Sequence, residues 1–318
     1  MGEGVKTMRR SFFLLIGPVV GLALTLGAAG QTPDPCRGVA VLTIETDAPD
    51  ANFNGRLVKV PLDGTGREVL FEAASDVYPQ PNGSVFIKSR TSRSGHDLFY
   101  AAAGKAPGAR PVAAAFDFVA AATAPDGGRA ALAVRTGPEL AWTIEIMELP
   151  PAGREPRRTA PPEGVRPRDL RWRTDGGPPQ LVLLGTREGK PVSFGLIGTD
   201  EVPRWEELPA YVAADGEQFI LNKSQSLDVG PIEKDGGPAI RVASAWWHGE
   251  IDEIVTIPGQ ALVSYEWACG RQILFVLGRR DDLFSAFIVD LRGRKVRTVL
   301  AGARGPVKLY RPGPAAAR

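Results

Sequence analysis

The stretch Ala124-Pro125-Asp126-Gly127-Gly128-Arg129-Ala130-Ala131-Leu132 places a tight polar turn directly before a short apolar run typical of a buried β-strand. The same pattern of turn and strand returns along the chain at intervals of 46, 44, 49, 40 and 54 residues. Its six turns are Pro35-Cys36, Asn82-Gly83, Asp126-Gly127, Asp175-Gly176, Asp215-Gly216 and Cys269-Gly270.

This interval is the length of a four-stranded unit, so the repeat predicts an all-β fold, a six-bladed β-propeller of four-stranded blades. Continuous apolar runs, such as residues 180–184, suit strands that neighbouring blades cover on both faces. The fifth unit is longer than the others. We interpret Phe219-Ile220-Leu221 as its buried second strand, followed by a long Gly- and Pro-bearing loop before Ile240-Arg241-Val242.

The first 30 residues have the pattern of a secretory signal. Lys6, Arg9 and Arg10 precede an apolar run over residues 12–29 that ends in small residues. The alternative is an uncleaved anchor helix, because the run is almost long enough to cross a bilayer. Removal of residues 1–30 leaves 35 basic and 35 acidic side chains (38 − 3 and 36 − 1), and this balance argues against nucleic-acid binding. We predict one propeller domain over residues 31–318.

Cys36 and Cys269 are the only cysteines, and they occupy the same slot in the first and last repeats. Equivalent turns on the first and last blades of a ring are spatial neighbours, so an exported protein would join them in a disulfide. The alternative is a pair of buried free thiols. The first repeat also lacks an inner strand, and Val307-Lys308-Leu309-Tyr310 is the candidate to supply it from the C-terminus.

These repeats resemble those of TolB-type β-propellers, whose units carry a Pro-Asp-Gly turn and are WD40-like in their spacing. The resemblance rests on Ala124-Pro125-Asp126-Gly127, Ala214-Asp215-Gly216 and the Ser94-to-Tyr100 hairpin, and it covers roughly residues 36–310. It implies a six-bladed ring and a protein-binding role in the periplasm or cell envelope. Only the third repeat keeps a complete Pro-Asp-Gly, and the resemblance leaves the partner open.

The sequence offers few groups for catalysis. It has no Gly-x-Ser-x-Gly elbow for a serine peptidase. Its two histidines, His96 and His248, fall in different repeats; we interpret His96 as a turn residue. The Trp246-Trp247 pair beside His248 is either a ligand platform or, as we favour, packing between blades.

Two further patterns bear on metals and acids. Residues 50–55 (Asp-Ala-Asn-Phe-Asn-Gly) resemble the opening of a calcium loop, but Pro61 stands where the closing Glu belongs, so we favour an Asn54-Gly55 hairpin. The pairs Asp252-Glu253 and Asp281-Asp282 are adjacent in strands or turns and cannot face one another across a pocket. We therefore predict no metal site, no cofactor and no catalytic residues.

We predict an exported, non-catalytic, monomeric propeller that binds another envelope protein or a cell-surface component. The alternative is a carbohydrate-active propeller of the lyase or hydrolase type, with acids converging on the axial channel. A ligand would bind at the channel mouth, by analogy of fold. The residues predicted near that mouth are Tyr78, Arg168, Arg171, Tyr211 and Glu266.

Overall fold

The structure is a computed structural model, and it describes residues 36–46, 54–92, 95–103, 108–151, 154–173, 179–197, 203–208, 220–222, 225–246 and 248–312. The predicted signal segment, residues 1–30, lies outside these ranges. The described residues form strands and turns, with no α-helix among them. No helix suited to crossing a membrane occurs in this described part of the chain.

The first half of the fold contains twelve strands. They are β1 (Ala40–Glu45), β2 (Gly55–Pro61), β3 (Glu68–Ala74), β4 (Asp76–Pro79), β5 (Val85–Ser92), β6 (Gly95–Ala101), β7 (Arg110–Ala115), β8 (Asp117–Thr123), β9 (Arg129–Arg135), β10 (Thr143–Glu148), β11 (Arg157–Thr159) and β12 (Val165–Arg173).

The second half contains twelve more. They are β13 (Gln180–Arg187), β14 (Lys190–Ile197), β15 (Arg204–Glu207), β16 (Ile220–Asn222), β17 (Gln225–Lys234), β18 (Gly237–Trp246), β19 (Ile251–Pro258), β20 (Ala261–Cys269), β21 (Ile273–Arg280), β22 (Leu283–Asp290), β23 (Lys295–Ala303) and β24 (Val307–Tyr310).

The strands form six antiparallel sheets of four, which confirms the six-bladed propeller of four-stranded blades. We name them blades I to VI, with the innermost strand first: β24-β1-β2-β3, β4-β5-β6-β7, β8-β9-β10-β11, β12-β13-β14-β15, β16-β17-β18-β19 and β20-β21-β22-β23. Within a blade, the connections from the first to the second strand and from the third to the fourth lie at one end of the ring. We call this end the turn face.

The repeated polar turns explain why the sequence pattern recurs. In blade II the Gly83 N–H donates to the Gln80 carbonyl (2.9 Å), and in blade III the Gly127 N–H donates to the Ala124 carbonyl (2.8 Å). Both glycines have a positive φ, 79° and 71°, which L side chains rarely adopt. Asp126 then accepts the Gly128 N–H (2.9 Å), which fixes the turn from its own side chain.

The C-terminal strand closes the ring, as the sequence predicts. β24 pairs antiparallel with β1, placing Leu309 opposite Val41 and Val307 opposite Thr43. Val307, Leu309 and Tyr310 are buried, so the closing strand belongs to the core. The Tyr310 hydroxyl donates to the Gly83 carbonyl of blade II (3.0 Å), which links the C-terminal strand to two blades.

The structure also contains the predicted disulfide between Cys36 and Cys269, whose Cα atoms are 5.1 Å apart. Cys36 lies just before β1 of blade I, and Cys269 is the last residue of β20 of blade VI. The bond therefore joins the first and last blades at the turn face. The same seam is closed both by a covalent bond and by strand pairing.

The hydrophobic core is divided into clusters that lie between neighbouring blades. The second strands β1, β5, β9 and β21 each contribute side chains to clusters on both of their faces, which is why these strands are continuously apolar. The fully buried examples include Leu42, Phe86, Leu132, Leu183 and Leu274.

Blade V differs from the sequence interpretation. Residues 220–222 form β16, the first strand of the blade and not the second, and β17 runs through the predicted loop. β16 pairs with β17 only at Ser226 and Gln225, so the rest of β17 has no described strand on its inner edge. Such an edge tolerates Gly230 and Pro231, which had indicated a loop. The turn predicted at Asp215-Gly216 lies outside the described residues.

Candidate functional site

The axial channel is the part of the fold where ionisable side chains from different blades meet. Three carboxylates come from the innermost strands of consecutive blades. Each stands directly before an apolar residue, and in two of them, Asp76 and Asp169, the side chain accepts the N–H of that next residue. The three acids are Asp76 of blade II, Asp117 of blade III and Asp169 of blade IV.

A sequence signal for these acids exists, and it is separate from the repeated turns. Ser75-Asp76-Val77, Phe116-Asp117-Phe118 and Arg168-Asp169-Leu170 share one pattern at spacings of 41 and 52 residues (117 − 76 and 169 − 117). In a ring of repeats, equivalent positions on innermost strands face the same axis. Aligning the repeats on these aspartates, as well as on the turns, indicates the channel acids.

Tyr78 of β4 lies among these three carboxylates. Its hydroxyl donates to the Phe118 carbonyl of blade III at 3.1 Å. Burial raises the pKa of Tyr78 well above its ordinary value, and the negative charges of Asp76, Asp117 and Asp169 raise it further. The phenol therefore stays neutral at physiological pH and acts as a hydrogen-bond donor between blades II and III.

Asp117 is held by two basic side chains. The Lys88 ammonium is 2.6 Å from one carboxylate oxygen and also donates to the Phe118 carbonyl at 2.9 Å. The Arg135 guanidinium lies 3.5 Å from the other carboxylate oxygen. Only 13% of the Lys88 side chain is exposed, so this pair is partly desolvated and its charges are balanced locally.

Asp169 and Glu266 form a second charged group, contributed by blades IV and VI. Asp169 accepts the Arg171 Nε–H at 2.8 Å, and Glu266 accepts from Arg311, which follows β24, at 3.0 Å. Burial raises the pKa of Glu266; the positive charges of Arg311, Arg171 and Lys308 oppose that rise, and Asp169 adds to it. These five basic and acidic side chains therefore share one electrostatic environment across the channel.

The arrangement is a channel of balanced charge. Asp117, Asp169 and Glu266 each have a basic partner within 3.0 Å. Within the described ranges, no three His, Cys, Asp or Glu side chains are grouped closely enough to hold a metal ion. The channel thus presents both donors and acceptors of hydrogen bonds to whatever enters it.

Of the five residues predicted near the channel mouth, the structure brings three together. Tyr78, Arg171 and Glu266 belong to the charged channel. Arg168 lies at the bulge of β12 between Pro167 and Asp169, where its side chain is exposed. Tyr211 lies outside the described residues.

The two histidines lie in different blades and have different surroundings. His96 lies at the start of β6, where its Nδ1 is 2.8 Å from the Phe116 carbonyl, and burial lowers its pKa. His248 stacks on Trp246 at the tip of the β18–β19 hairpin. Trp246 is 36% exposed, so the expected packing between blades is wrong for this residue, which lies beyond the end of the buried part of the blade. Trp247 lies outside the described residues.

The calcium-like stretch is described only at its end. The Asn54 amide donates to the Arg90 carbonyl and accepts the Arg90 N–H, both at 2.8 Å. This amide therefore joins blades I and II, and both of its polar ends are in use. Asp50 and Asn52 lie outside the described residues.

The comparisons with known proteins agree with this architecture. A scan against protein-family models finds no match, and a search of curated proteins finds none either. Among solved structures, the chain is similar to TolB from Acinetobacter baumannii, with 13% identity and a TM-score of 0.50. That likeness covers 85% of this chain and 64% of TolB, so the chain spans about two thirds of TolB's length.

Two other similar structures are those of enzymes. A periplasmic gluconolactonase of Pseudomonas aeruginosa shares 11% identity over 86% of this chain and 99% of its own, with a TM-score of 0.41. An acylaminoacyl peptidase of Pyrococcus horikoshii shares 12% identity over 82% of this chain and 50% of its own, with a TM-score of 0.49. At such identities a likeness shows the fold alone, and the resemblance to TolB-type propellers is confirmed at that level.

Proposed function

We propose that this protein is an exported, non-catalytic β-propeller that serves as a scaffold for another protein of the cell envelope. The observation that carries the proposal is the pairing of the channel carboxylates. Lys88 binds Asp117, Arg171 binds Asp169 and Arg311 binds Glu266, all within 3.0 Å. A catalytic pair of acids must have carboxyl groups free to reach the substrate, whereas these three carboxylates already accept hydrogen bonds from guanidinium or ammonium partners.

The proposal of export has two supports. The basic and apolar pattern of residues 1–30 is that of a secretory signal. The Cys36–Cys269 disulfide requires an oxidising compartment to form and persist, which the periplasm and the extracellular space provide. The same bond holds the ring closed, and a rigid surface loses little conformational entropy when a partner binds.

A second function is favoured by one observation, the raised pKa of Glu266 near the charged Asp169. Glycoside chemistry uses a carboxyl of raised pKa as the general acid and a second carboxyl nearby as the nucleophile or base. In this alternative, the protein is a carbohydrate-active propeller with Glu266 as the acid. Arg171 and Arg311 would then have to release their carboxylates when substrate binds.

One experiment separates the two functions. The chain from residue 31 onward, immobilised as bait, is exposed to an envelope fraction, and the captured protein is purified and titrated back against the bait. In parallel, the same chain and Glu266→Gln are incubated with a panel of polysaccharides and assayed for reducing ends and for unsaturated products.

The scaffold proposal predicts saturable, one-to-one binding of a captured protein and no turnover of any polysaccharide by either form. Turnover by the wild type that is lost in Glu266→Gln would contradict the scaffold proposal and support the carbohydrate-active enzyme. Absence of any saturable partner would also contradict the scaffold.

A further inference from the structure

The tip of the β18–β19 hairpin presents an exposed aromatic pair on the turn face, at the outer rim of blade V. The rings of Trp246 and His248 stack with centroids 5.6 Å apart and planes at 21°. The turn that carries them is closed by two hydrogen bonds, from the Gly249 N–H to the Trp246 carbonyl (2.9 Å) and from the Trp246 N–H to the Glu250 carbonyl (2.8 Å). These bonds fix the backbone from which the exposed indole projects, and the indole itself stacks on His248.

A planar polar group lies beside this indole. Asp252 is directly opposite Ser244 in the sheet, and Trp246 follows Ser244 by two residues, so Trp246 and Asp252 point to the same side of blade V. Diagonal neighbours of this kind are about 7–8 Å apart. Arg294 reaches across from blade VI and binds both oxygens of Asp252, at 2.9 and 3.1 Å, and the Glu253 carbonyl.

Arg294 is itself fixed in position. The turn between β22 and β23 is braced by Asp290, whose carboxylate accepts the N–H groups of Arg292 (3.0 Å) and Gly293 (2.9 Å). Arg294 follows with a positive φ of 51°, which aims its side chain at blade V. Two braced turns from two blades thus meet at one place on the rim.

The ion pair keeps hydrogen-bonding capacity toward solvent. A guanidinium has five N–H donors, and the described contacts of Arg294 occupy three of them. A carboxylate has about four acceptor positions, of which Arg294 uses two. Both side chains are about half exposed, 51% for Arg294 and 54% for Asp252, so the remaining donors and acceptors face water.

We propose that Trp246, His248, Asp252 and Arg294 form a saccharide-binding platform on the rim of the propeller, a site separate from the axial channel. One face of a hexose ring is apolar and stacks on an aromatic ring, and its edge carries hydroxyl groups that both donate and accept hydrogen bonds. The indole supplies the first surface, and the Arg294–Asp252 pair, placed one diagonal step away in the sheet at about 7–8 Å, supplies the second. Arg294 and Asp252 neutralise one another, and the exposed Glu250 and Glu253 beside them would repel an anionic sugar, so the platform suits a neutral one.

The test uses three neutral tetrasaccharides, cellotetraose, maltotetraose and chitotetraose, titrated into the full chain from residue 31 by isothermal calorimetry and by saturation-transfer NMR. We expect saturable binding of at least one of them. Trp246→Ala should weaken that binding about tenfold or more, because it removes the stacking surface. Arg294→Gln should weaken it while leaving the aromatic pair in place.

The matched control is Leu140→Ala, which removes another exposed apolar side chain, 57% exposed, from the β9–β10 loop of blade III. It should bind the sugar as tightly as the wild type. Circular dichroism of each variant reports folding, and the two platform variants act on different groups, so a folding defect in one leaves the other informative. No saturable binding to any of the three sugars, or equal binding by Trp246→Ala, overturns the proposal.

Discussion

Cys36 and Cys269 join blade I to blade VI by a disulfide that spans 233 residues of sequence. It lies at the seam where β24, the last strand of the chain, completes blade I by pairing with β1. The ring is therefore closed twice at one place, once by sulfur and once by backbone hydrogen bonds. Removing either closure leaves the other, so the two contributions can be measured separately.

The disulfide should contribute strongly to stability, because it closes a very long loop and so lowers the conformational entropy of the unfolded chain. Replacement of both cysteines by serine should lower the free energy of unfolding by about 5 kcal/mol, since a loop of 100 residues already accounts for about 4.7. Thermal melts with and without reductant give the measurement. The double variant, which should not respond to reductant, is the control. A wild-type melt that is unchanged after thiol assays show full reduction would contradict this.

The closing strand should tolerate changes on its exposed side and not on its buried side. Leu309 is 6% exposed and packs in the core between blades VI and I. Leu309→Ala should cost about 2–5 kcal/mol of unfolding free energy through the cavity it leaves. Lys308→Ala, the exposed neighbour on the same strand, should cost less than about 0.5 kcal/mol. Urea unfolding of both variants measures the two losses of unfolding free energy. Equal losses would show that β24 is not packed as described.

Asn54 should act as a structural link between blades I and II. Asn54→Ala leaves the N–H and C=O of Arg90 without their side-chain partners, at a cost of about 1–3 kcal/mol. Asn54→Asp keeps the acceptor and loses the donor, so its effect should be intermediate. Thermal melts of the wild type and both variants measure these costs, and melts of the wild type with EDTA examine the calcium alternative. A fall in melting temperature on chelation would show that the loop binds a metal and that the link is secondary.

Glu266 should make stability depend on pH. Its pKa is raised by burial, so the folded protein holds this proton more tightly than the unfolded chain does. The resulting stabilisation is complete below the ordinary value of 4.5 and is lost as the pH rises through the raised pKa. The wild type should therefore lose stability relative to Glu266→Gln over that interval.

Urea unfolding of the wild type and Glu266→Gln from pH 4 to pH 8 measures this difference. Glu233→Gln, at an exposed position in blade V, is the control and should follow the wild type at every pH. If the Glu266→Gln curve also runs parallel to that of the wild type, the carboxyl is not buried in the folded protein.

The sequence was most informative where a local signal repeats. The turns at Asn82-Gly83 and Asp126-Gly127 use a glycine with positive φ and a side-chain acceptor before it, and an Asn-Gly or Asp-Gly pair returns in four of the six repeats. Ring closure was also predictable, because the first blade lacks an inner strand and the strand at the C-terminus, which belongs to no other blade, can supply it.

Blade V was misread because an Asp-Gly pair shows that the chain turns but not which two strands the turn joins. Pro231 and Gly230 then argued against a strand, and the edge position that permits them is a tertiary property. The channel pairs were equally hidden. Glu266 and Arg311 are 45 residues apart in the chain, and only the closed ring brings them together.

The ring closes at a single seam between blades I and VI, and non-reducing peptide mapping of the purified protein is the sharpest check of that closure. We expect one linked species, in which the peptide containing Cys36 is bonded to the peptide containing Cys269 of the same chain. Free thiols at both positions, or a bond between two chains, would contradict it.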